Sequence, residues 1–175
     1  MESLLARAGE IEIRPIRLPH GGSAVLRAVR VRLASATPAF LKAGTLAASY
    51  TAKPLVSVKG DAMFGELAVV RLLEADGWDA VWVDTFHREL WRAMPHRALP
   101  VALPAAIQAR FDAIVAANDG RTAGCFDVLA WRGERVAFVD YREAGDSPNR
   151  GAARWIEAAI EAGVGVGDLW IVERE

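Results

Sequence analysis

Cysteine is nearly absent from this chain of 175 residues, which holds only Cys125. A single thiol excludes an intrachain disulfide and any metal cluster built from several cysteines. Chains without disulfides are typical of reducing compartments, so we expect a cytoplasmic location. No base partner for Cys125 is evident in the sequence, which favours a buried thiol over a catalytic nucleophile.

Long hydrophobic runs and clustered histidines are also missing. No apolar stretch reaches the roughly 18 to 20 residues that a membrane-spanning helix needs. Residues 1–8 show neither a basic leader nor a long apolar core, so we expect no signal peptide and no membrane partner. The histidines His20, His87 and His96 are isolated and give no pair with metal-ligand spacing.

Neither sign of charge dominates, since the formal net charge is −1. The distribution is uneven: residues 1–60 hold nine Lys/Arg and three Asp/Glu, whereas residues 61–175 hold 12 and 19. A basic arm beside an acidic remainder is typical of a phosphate-docking surface next to a metal centre. A chance distribution of solvated charges explains the split equally well.

Hydrophobic periodicity and turn residues predict one domain over residues 1–175 with alternating helices and strands. The prolines within 87–104 indicate an irregular segment. From residue 62 onwards the order indicates a mixed sheet with helices on its faces. The predicted elements are strands at 11–18 and 25–34 joined by a turn at His20–Gly22, a helix at 38–48, a strand at 55–58, a helix at 62–76 capped by Asp61, a strand at 78–86, a helix at 104–118, two strands joined by a hairpin at 132–134, a helix at 148–162 and a strand at 168–173.

Two adjoining predicted strands each carry one carboxylate. Asp127 lies in Cys-Phe-Asp-Val-Leu-Ala-Trp, and Asp140 lies in Val-Ala-Phe-Val-Asp-Tyr-Arg with Arg142 two residues later. Side chains two apart on a strand share a face, so Asp140 and Arg142 should point toward one pocket that Asp127 can also reach. Two acids and a cation can hold a divalent metal beside a phosphate, which makes phosphodiester cleavage the first hypothesis. A plain salt bridge between Asp140 and Arg142 is the alternative.

These motifs resemble the PD-(D/E)XK nuclease superfamily, and within it the VRR-NUC family of replication and repair nucleases. The superfamily pattern is an acid on the first helix, an aspartate on a middle strand, and an acid-x-lysine on the next strand. Glu66 lies in the predicted helix for the first acid, and Asp127, within Phe-Asp-Val-Leu, matches the middle aspartate. The acid-x-lysine falls on Asp140, Tyr141 and Arg142.

The spacing beyond this motif also resembles the family. Asp146 follows Arg142 by four residues and Trp155 follows Asp146 by nine, as in the family pattern. The resemblance covers about 124–173 and more loosely 62–86.

The resemblance implies an α/β fold of the restriction-endonuclease type, with a mixed β-sheet core flanked by helices. The nuclease-like core would span 61–175, and about 87–120 would be a helical insertion within it. Residues 1–60 would form a basic, β-rich N-terminal extension.

A metal-dependent deoxyribonuclease is the activity that the resemblance implies. Glu66, Asp127, Asp140 and the backbone carbonyl of Tyr141 would hold Mg²⁺ or Mn²⁺, and Arg142 would contact the phosphate. DNA is the expected partner, and RNA stays open as a substrate. A homodimer is a further expectation, because many enzymes of this fold dimerise to cut both strands.

Two positions depart from the family pattern. Arg142 replaces the lysine, and Ala152 replaces a glutamine three residues before Trp155. Arginine stays protonated and cannot take a proton from water, but it can orient water and offset charge on phosphoryl oxygens. The chain is rich in arginine, with 18 Arg and three Lys. An arginine in place of the family lysine therefore agrees with the general composition and does not by itself indicate a loss of function.

Four arginines are candidate contacts to a nucleic-acid backbone, three of them in the N-terminal hairpin. They are Arg27, Arg30, Arg32 and Arg150. A solvated edge strand explains the hairpin arginines equally well.

Two other functions stay open on the sequence. One is a nuclease-fold module that no longer cleaves and serves as a nucleic-acid-binding or assembly subunit. The other is a protein-interaction domain whose acidic face only keeps it soluble. Divalent-metal binding separates the first from a nuclease, and salt-dependent DNA retention separates the second.

Overall fold

The computed structural model describes residues 8–37, 47–143, 146 and 151–175. Within them the chain is a mixed α and β protein with one seven-stranded and one three-stranded sheet. The strands are β1 (Ala8–Arg17), β2 (Ser23–Val31), β3 (Ala34–Ala36), β4 (Leu55–Val58), β5 (Asp61–Phe64), β6 (Asp79–Asp84), β7 (Glu89–Trp91), β8 (Val128–Arg132), β9 (Arg135–Arg142) and β10 (Leu169–Arg174). The helices are α1 (Gly65–Ala75), α2 (Ala105–Ala117) and α3 (Ala152–Glu161), with short 3₁₀ helices at Ala48–Tyr50 and Val166–Asp168.

The large sheet has the strand order β1-β2-β10-β9-β8-β6-β7. The three neighbouring strands β2, β10 and β9 are parallel, and the remaining neighbours pair antiparallel. Because β2 pairs with β10, the N-terminal hairpin extends the large sheet. The strands β6, β9, β10 and β2 all run in the same direction, so their carboxyl ends meet at one edge of the sheet.

Alternation along the strands divides the core into two layers, one on each face of the large sheet. One layer packs α1 and the small sheet β3-β4-β5 against the strands, and the other packs α2 and α3 against the opposite face. Leu67, Leu73, Trp82, Val139 and Val172 represent the first layer, and Ile114, Leu129, Phe138, Trp155 and Ile171 represent the second.

Several predicted elements are confirmed. The chain turns between Leu18 and Gly22, and β1 and β2 pair antiparallel on either side. The predicted helix at 104–118 is α2, and the two acid-bearing strands are joined by a hairpin at 132–134. None of the described helices is long and apolar enough to cross a membrane. The predicted helix at 38–48 falls mainly on residues 38–46, outside the described residues.

Two predictions were wrong at the level of elements. Asp61 does not cap a helix: Asp61–Phe64 form β5, where Met63 and Phe64 pair with β4, and α1 begins only at Gly65. The segment 87–104 is not wholly irregular, because β7 forms within it and pairs with β6. In both cases a short strand is held by a tertiary partner that the local pattern does not reveal.

Candidate functional site

The two acid-bearing strands bring Asp127 and Asp140 to the same edge of the large sheet. Asp127 comes directly before β8, and the final pair of the β8–β9 ladder at that end is Val128 with Val139. The register therefore places Asp127 opposite Asp140. The Asp127 carbonyl accepts a hydrogen bond from the Val83 amide at 2.7 Å, which ties the residue to β6.

A small cavity of about 150 Å³ opens at this edge. Two of the predicted metal ligands, Glu66 and Asp127, line it together with the Tyr141 side chain, whereas Asp140 and Arg142 do not. The complete lining is Lys53, Pro54, Gly65, Glu66, Asp127, Tyr141, Glu143 and Asp146. The Asp146 carboxylate also accepts a hydrogen bond from the Glu143 amide at 3.0 Å.

Glu66 reaches the cavity from the first turn of α1, where the helix dipole favours a carboxylate. It is 7% exposed and forms an ion pair with the Lys53 ammonium. Helix α1 can approach β9 closely because its first residue is Gly65. A Cβ at that position would lie 2.0 Å from the Tyr141 ring.

The ionised form of the Asp127 carboxyl is strongly disfavoured at this site. Burial raises the pKa of the Asp127 carboxyl well above its ordinary value, and the Glu66 and Asp140 carboxylates raise it further. The Tyr141 amide, which donates to Asp127 Oδ2 at 2.9 Å, and the Lys53 ammonium lower the pKa but do not compensate. This group of acids therefore favours an added proton or cation.

Asp140 and Arg142 form a buried ion pair on the face of β9 that packs toward α2 and α3. Arg142 Nε and Nη2 lie 2.8 and 2.7 Å from Asp140 Oδ2, and the residues Arg142 and Asp140 are 7% and 4% exposed. Burial raises the pKa of Asp140, and Arg142 only partly offsets it. The Arg142 guanidinium is thus paired with Asp140, as in the salt-bridge alternative. It is turned away from the cavity that Glu66 and Asp127 line, so the predicted contact of Arg142 with a phosphate in that cavity is not formed by this geometry.

The hairpin arginines are engaged within the chain. Arg30 lies 2.7 Å from a Glu12 oxygen, Arg32 pairs with Glu175 at 2.7 Å, and Arg27 lies 5.2 Å from the Trp170 ring centre. These contacts engage the three guanidinium groups within the chain. The alternative of a solvated edge strand was wrong for β2, because β2 pairs with β1 on one side and β10 on the other. Arg150 lies outside the described residues.

Lys53 is the site residue that sequence reasoning missed. Its ammonium pairs with Glu66 and lies 5.1 Å from the Trp82 ring centre and 5.6 Å from that of Phe64. A lysine is therefore present at the cavity, but it is Lys53 and not the residue at the acid-x-lysine position, which is Arg142. The scarcity of lysine, at three residues, was the only sequence signal that could have singled it out.

A buried hydrogen-bond network fixes the segment that carries Lys53. The Tyr50 hydroxyl donates to Asp84 Oδ2 at 2.6 Å and lies 2.9 Å from His87 Nδ1. Burial tends to raise the pKa of Asp84, but hydrogen bonds from Tyr50 and His87 outweigh it and lower the pKa. The Lys53 amide donates to the Tyr50 carbonyl at 3.1 Å, so the position of Tyr50 sets that of Lys53.

Ser49, His87 and Asp84 follow the order of nucleophile, base and orienting acid in serine hydrolases. Ser49 Oγ lies 3.0 Å from His87 Nε2, and His87 Nδ1 lies 2.7 Å from Asp84 Oδ2. The same Asp84 oxygen also accepts the Tyr50 hydroxyl, so Asp84 is shared between two partners. We interpret the network as an anchor for the 3₁₀ helix on β6.

Replacing Tyr50 tests this anchor. We expect Tyr50→Phe to lower the free energy of unfolding by about 1–2 kcal/mol, because buried Asp84 loses a donor. Thermal unfolding measures the change. Ser49→Ala is the control, since it leaves the bond between Tyr50 and Asp84 intact, and we expect it to leave the stability unchanged. A Tyr50→Phe protein as stable as the wild type would contradict the anchor.

Within the described residues, no group of three or more His, Cys, Asp or Glu side chains has an arrangement ready to hold a metal ion. Comparison of the chain with family models, curated proteins and solved structures returned no match.

Proposed function

We propose that this protein is a metal-dependent nuclease that hydrolyses phosphodiester bonds in DNA, with its centre at the cavity of Glu66 and Asp127. The observation that carries the proposal is the meeting of these two carboxylates with the Lys53 ammonium at one edge of the sheet. Carboxylates suit a divalent cation and an ammonium suits a phosphate. The sequence pattern around Asp127 and Asp140 supports the same activity.

The donor set fits Mg²⁺ or Mn²⁺. Glu66 and Asp127 offer hard oxygen ligands, and Asp140 lies on the neighbouring strand. Burial, and then repulsion from the Glu66 and Asp140 carboxylates, raises the pKa of Asp127, so a cation there would be stabilised. Such ions bind through one or two carboxylates and retain several waters. When bound, the ion would lower the pKa of a coordinated water and stabilise charge on the phosphate.

The cationic side chains have separate roles in this proposal. Lys53 contacts a non-bridging phosphate oxygen and offsets charge that develops there. Arg142 holds the orientation of Asp140 through two hydrogen-bond contacts to Oδ2. Tyr141 positions Asp127 through its backbone amide.

Lys53→Met tests the proposal with little change in packing, because methionine can keep the apolar stem against Phe64 and Trp82. We expect cleavage of plasmid, linear or branched DNA with Mg²⁺ or Mn²⁺ to fall by about 10²-fold. Lys59→Met, at an exposed turn, is the matched control and should cleave as the wild type does. Asp127→Ala, which removes a carboxylate from the cavity, should be inactive.

Two results would overturn the proposal. The first is a wild-type protein that cleaves none of these substrates with either ion. The second is cleavage that persists unchanged in both Lys53→Met and Asp127→Ala, because the activity would then arise elsewhere or from a contaminant.

The second candidate function is a nuclease-fold module that binds nucleic acid or a partner protein without cleaving. The buried pairing of Arg142 with Asp140 favours it, because this cation is turned away from the cavity. Calorimetric titration with Mn²⁺ separates the two candidates. A competent site binds the ion and loses it in Asp127→Ala, whereas a degenerate module shows no such binding.

A further inference from the structure

A second, larger cavity of about 670 Å³ lies beside the candidate site on the opposite face of β6. It is formed by the end of β6, the turn into β7, helix α2 and the loop before β8. Its volume falls within the roughly 300–1,000 Å³ typical of ligand pockets. The residues that line it are Val83, Asp84, Thr85, Arg88, Glu89, Leu90, Leu103, Gln108, Phe111, Gly120, Arg121, Thr122 and Ala123.

Two arginines in this cavity differ from most others in the chain. Arg88 and Arg121 are exposed, and within the described residues neither guanidinium has a hydrogen-bond, ion-pair or ring partner. Most of the other described arginines are paired with carboxylates or carbonyls, or stack on aromatic rings. The backbone of Arg88 adopts a left-handed φ of 58°, a conformation that is uncommon for a residue other than glycine. Two unpaired guanidinium groups favour an anion such as a phosphate.

The floor of the cavity is apolar and partly aromatic. Leu90, Leu103 and Phe111 are half-buried there, and the Phe111 ring packs against Trp155 with ring centres 5.7 Å apart. Phe86, in the turn between β6 and β7, is 82% exposed. Exposed aromatic rings beside cations are typical of surfaces that bind unstacked bases.

Two acidic residues, Asp84 and Glu89, line the cavity together with the two arginines. Asp84 directs its oxygens to Tyr50 and His87, and Glu89 lies opposite Asp84 in the ladder between β6 and β7, so the two side chains share a face of the sheet. The lining has no net formal charge, and the two guanidinium groups are the part of it that suits an anion.

The larger cavity lies next to the cavity of Glu66 and Asp127, because a backbone hydrogen bond joins a residue that lines one to a residue that lines the other. Val83, which lines the larger cavity, donates its amide to the Asp127 carbonyl at 2.7 Å. A DNA strand with one phosphate at the proposed metal site beside Lys53 would therefore bring a neighbouring nucleotide to the larger cavity. A concave pocket of this kind accepts an unstacked nucleotide and excludes a base pair within a duplex.

We propose that the larger cavity binds one unpaired nucleotide of the DNA strand, with Arg88 and Arg121 on its phosphate and the base over Phe111. The substrate is then a single strand or an unpaired strand end. The nucleotide unit could also come from a free mononucleotide. This inference rests on the proposed function for the identity of the strand, but its test does not need cleavage.

Fluorescence anisotropy with a labelled single-stranded oligonucleotide, in EDTA and low salt, measures the binding. We expect Arg88→Gln and Arg121→Gln each to weaken affinity by about 5–10-fold and to reduce the slope of log K against log salt by about 0.7. Arg17→Gln, an exposed arginine at the opposite edge of the sheet, is the control and should bind as the wild type does. A duplex of the same sequence should bind more weakly and respond to none of the three changes.

The outcomes separate the two proposals. Equal binding by wild type and both cavity variants overturns the inference, as does a duplex that binds as well as the single strand. A mononucleotide that competes at micromolar concentration, with no oligonucleotide preference, also overturns the strand assignment. Binding as expected by a protein that cleaves no DNA would support the nucleotide site in the larger cavity and contradict the proposed nuclease function. DNA cleavage together with unchanged oligonucleotide binding in both cavity variants would contradict the nucleotide site alone.

Discussion

Asp127→Asn is expected to abolish DNA cleavage and, at the same time, to raise the unfolding temperature of the metal-free protein. Asparagine keeps an oxygen for the Tyr141 amide but removes a charge that burial, Glu66 and Asp140 all disfavour. We expect the unfolding temperature to rise by about 2–4 °C, the shift that about 1 kcal/mol gives in a chain of this size. Cleavage should fall by about 10²-fold or more, since a principal ligand of the proposed metal ion is lost.

The pH dependence of this gain follows from the raised pKa of Asp127. A carboxyl whose pKa is higher in the folded than in the unfolded state destabilises the fold as pH rises above about 3.9, the ordinary value. The gain from Asp127→Asn should therefore be present at neutral pH and vanish near pH 4. Asp112→Asn, at an exposed helix position, is the control and should change the unfolding temperature by no more than about 1 °C. A lower unfolding temperature for Asp127→Asn than for the wild type would contradict the conclusion that the ionised Asp127 carboxylate destabilises the folded protein.

Gly124→Ala is expected to cause a large loss of stability for the addition of a single methyl group. Gly124 has a φ of +82°, and a Cβ there would lie 2.2 Å from the Gly151 carbonyl carbon. Backbone atoms cannot turn aside as a flexible side chain can, so the loop that leads to Asp127 must shift away from the start of α3. We expect a loss of about 3–5 kcal/mol in the free energy of unfolding, together with loss of activity.

Gly163→Ala is the matched control for this change. Gly163 has a φ of +88°, but a Cβ there would meet nothing within 4 Å. The left-handed conformation alone should cost about 1–2 kcal/mol. Chemical denaturation of both variants measures the difference, and equal losses in the two would show that the contact between Gly124 and Gly151 contributes nothing.

The acid-bearing hairpin was predictable because its sequence determines its geometry locally. Period-two alternation gave strands β8 and β9, and it placed Asp140 and Arg142 on one face. The strand register then brings Asp127 opposite Asp140 without any further information. The helix α2 was predictable for the same reason, since a proline precedes it and a regular apolar stripe runs through it.

The arrangement around Lys53 could not be predicted, because it depends on contacts between residues far apart in sequence. Lys53 reaches Glu66 because Tyr50 is bonded to Asp84 on β6, 34 residues later in the chain. The ion pairs of Arg30 and Arg32 have the same character, since their partners Glu173 and Glu175 lie at the other end of the chain. Local patterns identify such cations but do not show which carboxylate each will meet.

A crystal of the wild-type protein soaked in Mn²⁺ tests the central claim most directly, through the anomalous scattering of the ion. We predict an anomalous peak within coordination distance of the Glu66 and Asp127 carboxylates, and its loss in Asp127→Asn. An empty cavity at millimolar Mn²⁺, or a peak only at another surface of the protein, would contradict a metal centre at this cavity.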